Sequence, residues 1–393
     1  MMDYENIMIK RITDVPPSGI RKFFDIANEI GDAISLGVGE PDFDTPWHIR
    51  EEGIYSLEQG KTFYSANAGL LELREEICRY MKRRFDLDYD AKTQALVTVG
   101  GSEGIDISLR LLAGPGDEVL VPEPSFVSYK PCAIYAGATP VPLVTKAENN
   151  FKLTADELRA AITPKTKVLI LPYPNNPTGA IMEKEDLEAI AEVLRETNIM
   201  VISDEIYAEL TYGKKHVSFA SIEGMYERTI VLSGFSKAYA MTGWRLGYAL
   251  GPAPLIKQLT KIHQFAIMCA PSTSQFAAIE AMKNGDEDVA MMSESYNQRR
   301  RFMVDHFRKM GLECFEPEGA FYVFPCIKAT GMGSDEFCET LLKEEKVAVV
   351  PGNAFGECGE GFIRCSYAYS IEELKEALTR IERFVQRHLK QTV

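Results

Sequence analysis

The chain has 393 residues, of which 46% are hydrophobic and 25% are charged, a composition typical of a globular protein large enough for more than one core. Its 43 Lys and Arg residues against 57 Asp and Glu residues give a formal net charge of −14, which disfavours binding to nucleic acid or to an anionic membrane surface. No apolar run approaches the roughly 20 residues of a membrane-spanning helix, and the polar N-terminus does not fit a signal peptide, so we expect a cytoplasmic protein.

Cysteine and histidine spacing indicates neither a disulfide scaffold nor a metal site. The eight cysteines are scattered without a CxxC pair, which favours reduced thiols. None of the five histidines lies three or four residues from another, the spacing that a helical metal site needs. We therefore predict no bound metal.

From about residue 95 to 250, short apolar runs alternate with turns and helical stretches, which is the pattern of an α/β fold. Several runs are apolar without alternation, as expected for parallel strands covered on both faces. We predict a large domain with a mostly parallel seven-stranded sheet flanked by helices. Strands within it are predicted at Leu96–Val99, Val119–Val121, Lys167–Leu171, Ile199–Ser203, Thr229–Leu232 and Leu246–Leu250.

Helix signals lie between these strands and beyond them. Residues 154–157 (TADE) form a capping box, another helix is predicted over 183–196, and a long charged helix over about 285–309. Strands near Ala320–Phe324, Val347–Val350 and Gly361–Tyr367 indicate a second, smaller α+β domain that also includes the N-terminal segment. The predicted division is a large domain at residues 45–290 and a small domain at residues 1–44 and 291–393.

In an open α/β sheet the ligand lies beyond the carboxyl ends of the strands, so the residues that follow each strand are candidates for chemistry. Gly100, Gly101 and Ser102 follow the first of these strands and open a helix. Such a turn offers backbone N–H groups and a helix dipole to an anion such as phosphate. A tight packing turn has the same pattern, so both interpretations stay open at this point.

Two further strands are followed by polar side chains. Asn176 lies in the proline-rich loop of residues 172–179, a pattern equally typical of a simple turn before proline. Asp204 and Tyr207 would share one face of a helix that began there, although a capping aspartate and a core tyrosine have the same spacing.

Lys237 has the strongest local signal. It is followed by Arg245 within a stretch rich in glycine and small residues, and Phe235, Tyr239 and Met241 give it an apolar context. Burial lowers the pKa of a lysine and favours the neutral amine, the form that attacks a carbonyl. We therefore interpret Lys237 as a candidate nucleophile.

Taken together, these motifs resemble those of the fold-type I, class I/II aminotransferases. Residues 234–247 resemble the lysine motif of that family, and 176–179 (NPTG) and 204–207 (DEIY) match two others. Further matches lie at residues 36–43, at Tyr64, Gly69 and Arg74, and at residues 364–366. The resemblance covers nearly the whole chain in family order and favours the branch of aspartate, aromatic and N-acetyl-diaminopimelate aminotransferases.

The resemblance implies pyridoxal 5′-phosphate as cofactor, attached to Lys237 as a Schiff base. The catalytic residues it implies are Lys237, which would move the proton at the substrate α-carbon, Asp204 at the ring nitrogen and Tyr207 at the phenolic oxygen. Phe126 would stack on the ring, although a plain core role fits it equally. The implied cofactor-binding residues are Gly100, Gly101, Ser102, Phe126, Asn176, Asp204, Tyr207, Ser236, Lys237, Arg245 and, from the neighbouring subunit of a homodimer, Tyr64.

The resemblance also implies how substrate binds. Arg364 would hold the α-carboxylate bidentately, with Gly39 and Asn176 beside it, and the segment 19–21 would close over the substrate. The implied reaction moves an amino group from an L-amino acid, with aspartate or an aromatic favoured, to a 2-oxo acid such as 2-oxoglutarate. Gly234 departs from the hydroxyl residue that many members carry, so one phosphate contact is expected to be lost or replaced by water.

Other functions remain open because cofactor residues do not determine which bond breaks. N-acetyl-L,L-diaminopimelate aminotransferase and C–S lyase are the alternatives on this scaffold. A non-enzymatic regulator that binds the same cofactor is disfavoured, because the chain is acidic and has no N-terminal DNA-binding segment in its pattern.

Overall fold

The computed structural model describes residues 2, 4, 6–19 and 33–389, which form helices packed around a central sheet. The strands are β1 (Ile34–Ser35), β2 (Ala95–Thr98), β3 (Glu118–Glu123), β4 (Thr139–Val144), β5 (Thr166–Leu171), β6 (Met200–Asp204), β7 (Thr229–Gly234), β8 (Gly247–Leu250), β9 (Tyr322–Val323), β10 (Val347–Ala348), β11 (Val350–Pro351) and β12 (Ile363–Ser366). The helices are α1 (Lys10–Thr13), α2 (Trp47–Glu58), α3 (Leu71–Phe85), α4 (Gly100–Leu112), α5 (Tyr129–Ala136), α6 (Ala155–Ala161), α7 (Lys184–Arg195), α8 (Ala253–Ala266), α9 (Ser272–Asn284), α10 (Asp286–Lys309), α11 (Ser334–Glu345) and α12 (Ile371–His388).

The central sheet has seven strands in the order β2-β8-β7-β6-β5-β3-β4. Strand β8 is antiparallel to both of its neighbours and the remaining pairs are parallel, which confirms the predicted α/β fold with a mostly parallel sheet. Every residue of β2, β7 and β8 is buried, because helices cover both faces. This burial explains why those strands are apolar without alternation.

The edge strand β4 was not among the predicted strands. It contains Pro140 and Pro142, and proline cannot donate to a strand ladder. At the sheet edge only one side of the strand pairs, through the parallel register with β3, so the prolines are tolerated there.

The C-terminal part of the chain forms smaller sheets. Strands β9, β11 and β12 make an antiparallel three-stranded sheet, and β1 pairs in parallel with β10. The single strand predicted at residues 347–350 is two short strands, because β10 pairs with β1 and β11 pairs with β12. One hydrophobic cluster joins Leu36 to the apolar side chains of this C-terminal part.

The three predicted helices are confirmed. Thr154 accepts the Glu157 N–H in a capping box at the start of α6, α7 begins after Glu183, and α10 covers the predicted long helix. After Asp204, residues 206–209 make turns, so the condition under which Asp204 and Tyr207 would share a helix face is not met. Among the helices described, none is both long enough and apolar enough to span a membrane.

Candidate active site

A cavity of about 330 Å³ lies at the carboxyl ends of the central parallel strands. This is the place where open α/β sheets bind ligands. It brings together eleven of the residues that sequence reasoning singled out, which are Gly39, Gly101, Ser102, Phe126, Asn176, Asp204, Tyr207, Ser236, Lys237, Arg245 and Arg364. A volume of this size suits a small organic ligand rather than an ion.

The turn between β2 and α4 forms one end of the cavity. Gly100 has φ of +74°, a left-handed conformation that glycine adopts without strain. A Cβ there would lie 2.8 Å from Arg245 Nη2, so the guanidinium packs directly on the turn. Ser102, at the first turn of α4, and Ser236, after β7, both line this end of the cavity. The combination of helix N-terminus, hydroxyl groups and guanidinium suits a phosphate.

Gly234, the departure from the family pattern, has a packing explanation. A Cβ at Gly234 would lie 2.9 Å from the Cα of Gly247 on β8 and 3.0 Å from the Leu246 carbonyl oxygen. Strands β7 and β8 approach too closely here for a side chain, so a hydroxyl residue would need a shift of the backbone.

Asp204 stands at the end of β6 with its carboxylate in the cavity wall. Tyr129 Oη donates to Asp204 Oδ2 at 2.7 Å, and the Ile206 N–H donates to Oδ1 at 3.2 Å. Burial raises the pKa of Asp204, while these two hydrogen bonds act in the opposite direction. A buried carboxylate held in this way is a partner for a cationic ring nitrogen.

Lys237 extends across the cavity from the loop after β7. Its Nζ donates to the Gly39 carbonyl oxygen at 2.6 Å and lies 5.7 Å from the ring centroid of Phe321. Burial, reinforced by the Arg364 and Arg245 guanidiniums and opposed chiefly by Glu40, lowers the pKa of Lys237 to about 8. A substantial fraction of this amine is therefore neutral near pH 8, as a nucleophile requires.

Arg364 on β12 is buried on the other side of the cavity. Its Nη1 donates to Asn176 Oδ1 at 2.9 Å, and its Nη2 donates to the Gly37 carbonyl oxygen. No residue that the structure describes bonds its buried Nε, although the guanidinium is packed against the rings of Tyr322 and Phe355. A buried N–H without a partner is rare, and a carboxylate ligand would satisfy it.

The loop that carries Asn176 contains both features that its sequence could indicate, a turn before proline and a side chain that lines the cavity. The turn before proline is made by Asn175, whose Oδ1 accepts the Thr178 N–H at 3.2 Å and the Thr178 hydroxyl at 2.8 Å. The Asn176 side chain is left to line the cavity and to accept from Arg364.

Four polar side chains of the cavity were not singled out from the sequence: Glu40, Tyr129, Thr242 and Tyr322. Thr242 Oγ1 donates to Glu40, and both lie inside stretches already matched to family motifs. Tyr129 follows the noted Phe126 by three residues, with their ring centroids 5.6 Å apart. Tyr322, whose hydroxyl lies 2.8 Å from that of Tyr207, had no local signal because it comes from β9.

Some predicted residues lie away from the cavity. Gly100 shapes the turn without lining the cavity, and Tyr64 is 80% exposed, in a separate groove with Phe63, which is 82% exposed. Of the segment 19–21, Gly19 is described, whereas Ile20 and Arg21 lie outside the described residues.

Comparison with known proteins gives consistent matches along almost the entire chain. The family model for aminotransferase class I and II matches residues 31–381. The chain belongs to the class I and II aminotransferases. The YugH protein of Bacillus subtilis, named as an aminotransferase without a stated substrate, is 54% identical over 376 residues, covering 96% of this chain and 97% of the relative.

Two further matches carry substrate names. Aromatic-amino-acid aminotransferase 2 of Thermococcus litoralis is 46% identical, covering 96% of this aminotransferase and 97% of the relative. The solved structure of Thermus thermophilus aspartate aminotransferase with maleate superposes with a TM-score of 0.92 at 37% identity, covering 96% of this chain and 99% of that one.

Class I and II aminotransferases depend on pyridoxal phosphate, and the cavity of this aminotransferase suits that cofactor. The cavity combines three features that the cofactor needs. These are a turn that suits an anion together with Arg245, the buried carboxylate of Asp204, and Lys237, whose pKa is lowered. The Arg364 Nε, for which the described residues offer no partner, suits a carboxylate in addition.

Proposed function

We propose that this aminotransferase moves an amino group between an L-amino acid, either aspartate or an aromatic amino acid, and a 2-oxo acid such as 2-oxoglutarate. The observation that carries the proposal is the position of Lys237, whose lowered pKa favours the neutral amine and which shares one cavity with Asp204 and Arg364. The names of the Thermococcus and Thermus relatives support the two substrate classes.

The cofactor would be held along the sheet side of the cavity. Its phosphate would lie on the turn of residues 100–102 with Ser236 and Arg245, and its ring would lie against Phe126. Asp204 would pair with the ring nitrogen, and Asn176 and Tyr207 would bond the phenolic oxygen. When bound, pyridoxal phosphate supplies the reactive carbonyl and the electron-withdrawing ring that the reaction needs.

The chain's own residues then handle the proton and the substrate. Lys237 Nζ, in its neutral form, would attach the cofactor, and once free it would take and return the proton at the substrate α-carbon. Asp204 would keep its negative charge opposite the ring nitrogen, with Tyr129 Oη stabilising that charge through its hydrogen bond. The Gly39 carbonyl oxygen accepts a hydrogen bond from Lys237 Nζ and so keeps the amine in the cavity.

Arg364 would bind the α-carboxylate, since within the described part of the chain its buried Nε has no partner. The planar guanidinium, held by Asn176 and Gly37 and packed on Tyr322, cannot turn away from that position. The remaining cavity wall includes the apolar side chains of Val38, Ile105 and Ile206, which suit an aromatic donor.

We also propose the homodimer and the domain division that the sequence predicts. Tyr64, Phe63 and Phe265 are each at least 80% exposed, an unusual exposure for large apolar side chains that a second subunit would cover. A division near residues 45 and 290 is supported by the pairing of β1 with β10 and by the shared cluster around Leu36.

A donor screen at fixed 2-oxoglutarate tests the reaction. Amino-group transfer from aspartate or an aromatic amino acid, measured as glutamate formed, is the expected result. N-acetyl-L,L-diaminopimelate as the preferred donor would assign that branch instead. Pyruvate and ammonia released from a cysteine-type substrate, without glutamate, would overturn the proposal in favour of a lyase.

A further inference from the structure

A buried pair of side chains, Glu103 and His263, lies behind the anion-binding turn and outside the cavity wall. Glu103 follows Ser102 in the first turn of α4, and His263 belongs to α8. The Glu103 side chain is 10% exposed and the His263 side chain is fully buried. Neither residue was singled out by its sequence pattern, and neither lines the cavity.

Glu103 closes the turn from behind. Its Oε2 accepts the Val99 N–H at 2.5 Å, so its side chain reaches back across Gly100, Gly101 and Ser102. The residue before the turn and the residue after it are thereby joined, and the turn becomes a closed ring. Thr98 adds a second tie, since its hydroxyl donates to the Gly100 carbonyl oxygen at 2.9 Å.

His263 anchors this ring to a second helix. Its Nδ1 lies 2.6 Å from Glu103 Oε1, and because a carboxylate oxygen accepts, Nδ1 carries the proton in this bond. The other ring nitrogen, Nε2, is buried and has no hydrogen-bond partner among the residues described. A buried nitrogen without a partner destabilises the fold, so an apolar side chain at this position would be more stable unless the bond to Glu103 matters.

Both carboxylate oxygens of Glu103 are therefore held, one by the backbone ahead of the turn and one by α8. The turn itself has little freedom left. Gly247 packs on it so closely that a Cβ there would lie 2.7 Å from the Gly101 nitrogen. The N–H groups that face the cavity are consequently positioned before any ligand arrives, which is the arrangement that favours binding.

We propose that Glu103 and His263 are positioning residues for the cofactor phosphate: Glu103 holds the turn of residues 100–102 in its anion-binding shape, and His263 holds Glu103. The inference rests on the proposed location of the phosphate at this turn. Neither side chain touches the cofactor, and both act through the backbone N–H groups that Glu103 orders.

The test compares two ligands that differ only in the phosphate. Apoenzyme of each variant is titrated with pyridoxal 5′-phosphate and, separately, with pyridoxal, and the two dissociation constants are measured by absorbance. In Glu103→Ala, affinity for pyridoxal phosphate should fall about tenfold, as for loss of a charge-assisted hydrogen bond, while affinity for pyridoxal stays within about twofold. His263→Phe should show a smaller loss, about threefold, with the same selectivity, because Glu103 still accepts from Val99.

Conservative and matched variants separate positioning from general destabilisation. Glu103→Gln retains an oxygen for the Val99 N–H and should restore pyridoxal phosphate affinity to within about threefold of the parent. Glu157→Ala removes an equivalent capping glutamate from α6, where Glu157 Oε2 accepts the Thr154 N–H, and should leave both dissociation constants unchanged.

If Glu103→Ala loses equal affinity for the two ligands, or loses affinity for neither, the inference is overturned. If Glu103→Ala does not fold, the ratio of the two dissociation constants in His263→Phe tests the inference instead. A ratio equal to that of the parent protein would then overturn the inference. Ser102→Ala tests the underlying assignment separately. If it leaves the ratio unchanged, the phosphate does not bind at this turn; if it changes the ratio while Glu103→Ala does not, only the positioning role fails.

Discussion

The two walls of the cavity are assembled in different ways. On the sheet wall, which consists of Ser102, Asp204, Ser236 and Lys237, each side chain ends or closely follows a strand of one sheet. The opposite wall, formed by residues 37–40, Tyr322 and Arg364, joins distant parts of the chain, and the Arg364–Gly37 hydrogen bond spans 327 residues.

This difference shows which contacts depend on local structure. The sheet wall exists wherever the parallel strands pair correctly, because their carboxyl ends meet at one edge. The opposite wall exists only when β12 and the β1–β10 pair are also in place. We therefore expect sheet-wall variants to change cofactor binding and opposite-wall variants to change substrate binding, and Lys237, which reaches from one wall to the other, to affect both.

The largest effect is expected from Lys237→Ala. Turnover should fall by about four orders of magnitude, because the proposed nucleophile and base are lost together. The absorbance of lysine-bound cofactor should also disappear. Lys214→Ala, which removes an ammonium paired with Glu183 and Glu318 outside the cavity, is the control and should retain activity. Wild-type turnover in Lys237→Ala would contradict the assignment.

Arg364→Ala should separate the two walls. Loss of the guanidinium removes the proposed charge-assisted contact to the substrate carboxylate, so kcat/KM for the amino-acid donor should fall about hundredfold. Affinity for pyridoxal phosphate should stay within about twofold, because Arg364 is not among the proposed cofactor contacts. Arg364→Lys keeps the charge without the planar fork and should recover only part of the loss. If Arg364→Ala lost cofactor affinity to the same extent as kcat/KM, the separate roles of the two walls would be contradicted.

The pH dependence of Lys237 offers a third measurement. Its pKa is lowered to about 8, chiefly by burial, so the amine is mostly protonated below that pH and mostly neutral above it. The rate at which apoenzyme reacts with pyridoxal should therefore fall about tenfold per pH unit below 8 and level off above it. Glu40→Gln removes the carboxylate that opposes this shift, and should move the midpoint to lower pH. A midpoint near the pKa of an exposed lysine would contradict the burial of the Lys237 amine.

The smallest effect is expected from Tyr129→Phe, which removes a contact to Asp204 of the sheet wall. Loss of the hydroxyl that donates to Asp204 Oδ2 at 2.7 Å should raise the pKa of Asp204 further and weaken cofactor binding about fivefold. KM for the donor should not change. Tyr135→Phe, in the same helix but more exposed, is the matched control. A similar effect of both substitutions would show that the Asp204 contact contributes nothing.

Local patterns in the sequence were sufficient for most of the fold and for the sheet wall. Apolar runs without alternation correspond to the buried strands β2, β7 and β8, and the capping glutamates at the start of α6 and α7 mark real helix starts. These features arise from neighbouring residues alone, which is why they were predictable. Strand β4 was missed since its prolines are compatible only with an edge, and position in a sheet is not a local property.

By itself, the sequence determined the elements that place Asp204 and Lys237 at strand ends, and its motifs pointed to Arg364 by resemblance. Tertiary structure alone decided that Tyr322 meets Tyr207, that Tyr129 donates to Asp204, and that His263 lies behind the turn of residues 100–102. The physical reason is that these contacts join elements far apart in the chain. Their free energy depends on how sheets and helices pack, which no short stretch of residues encodes.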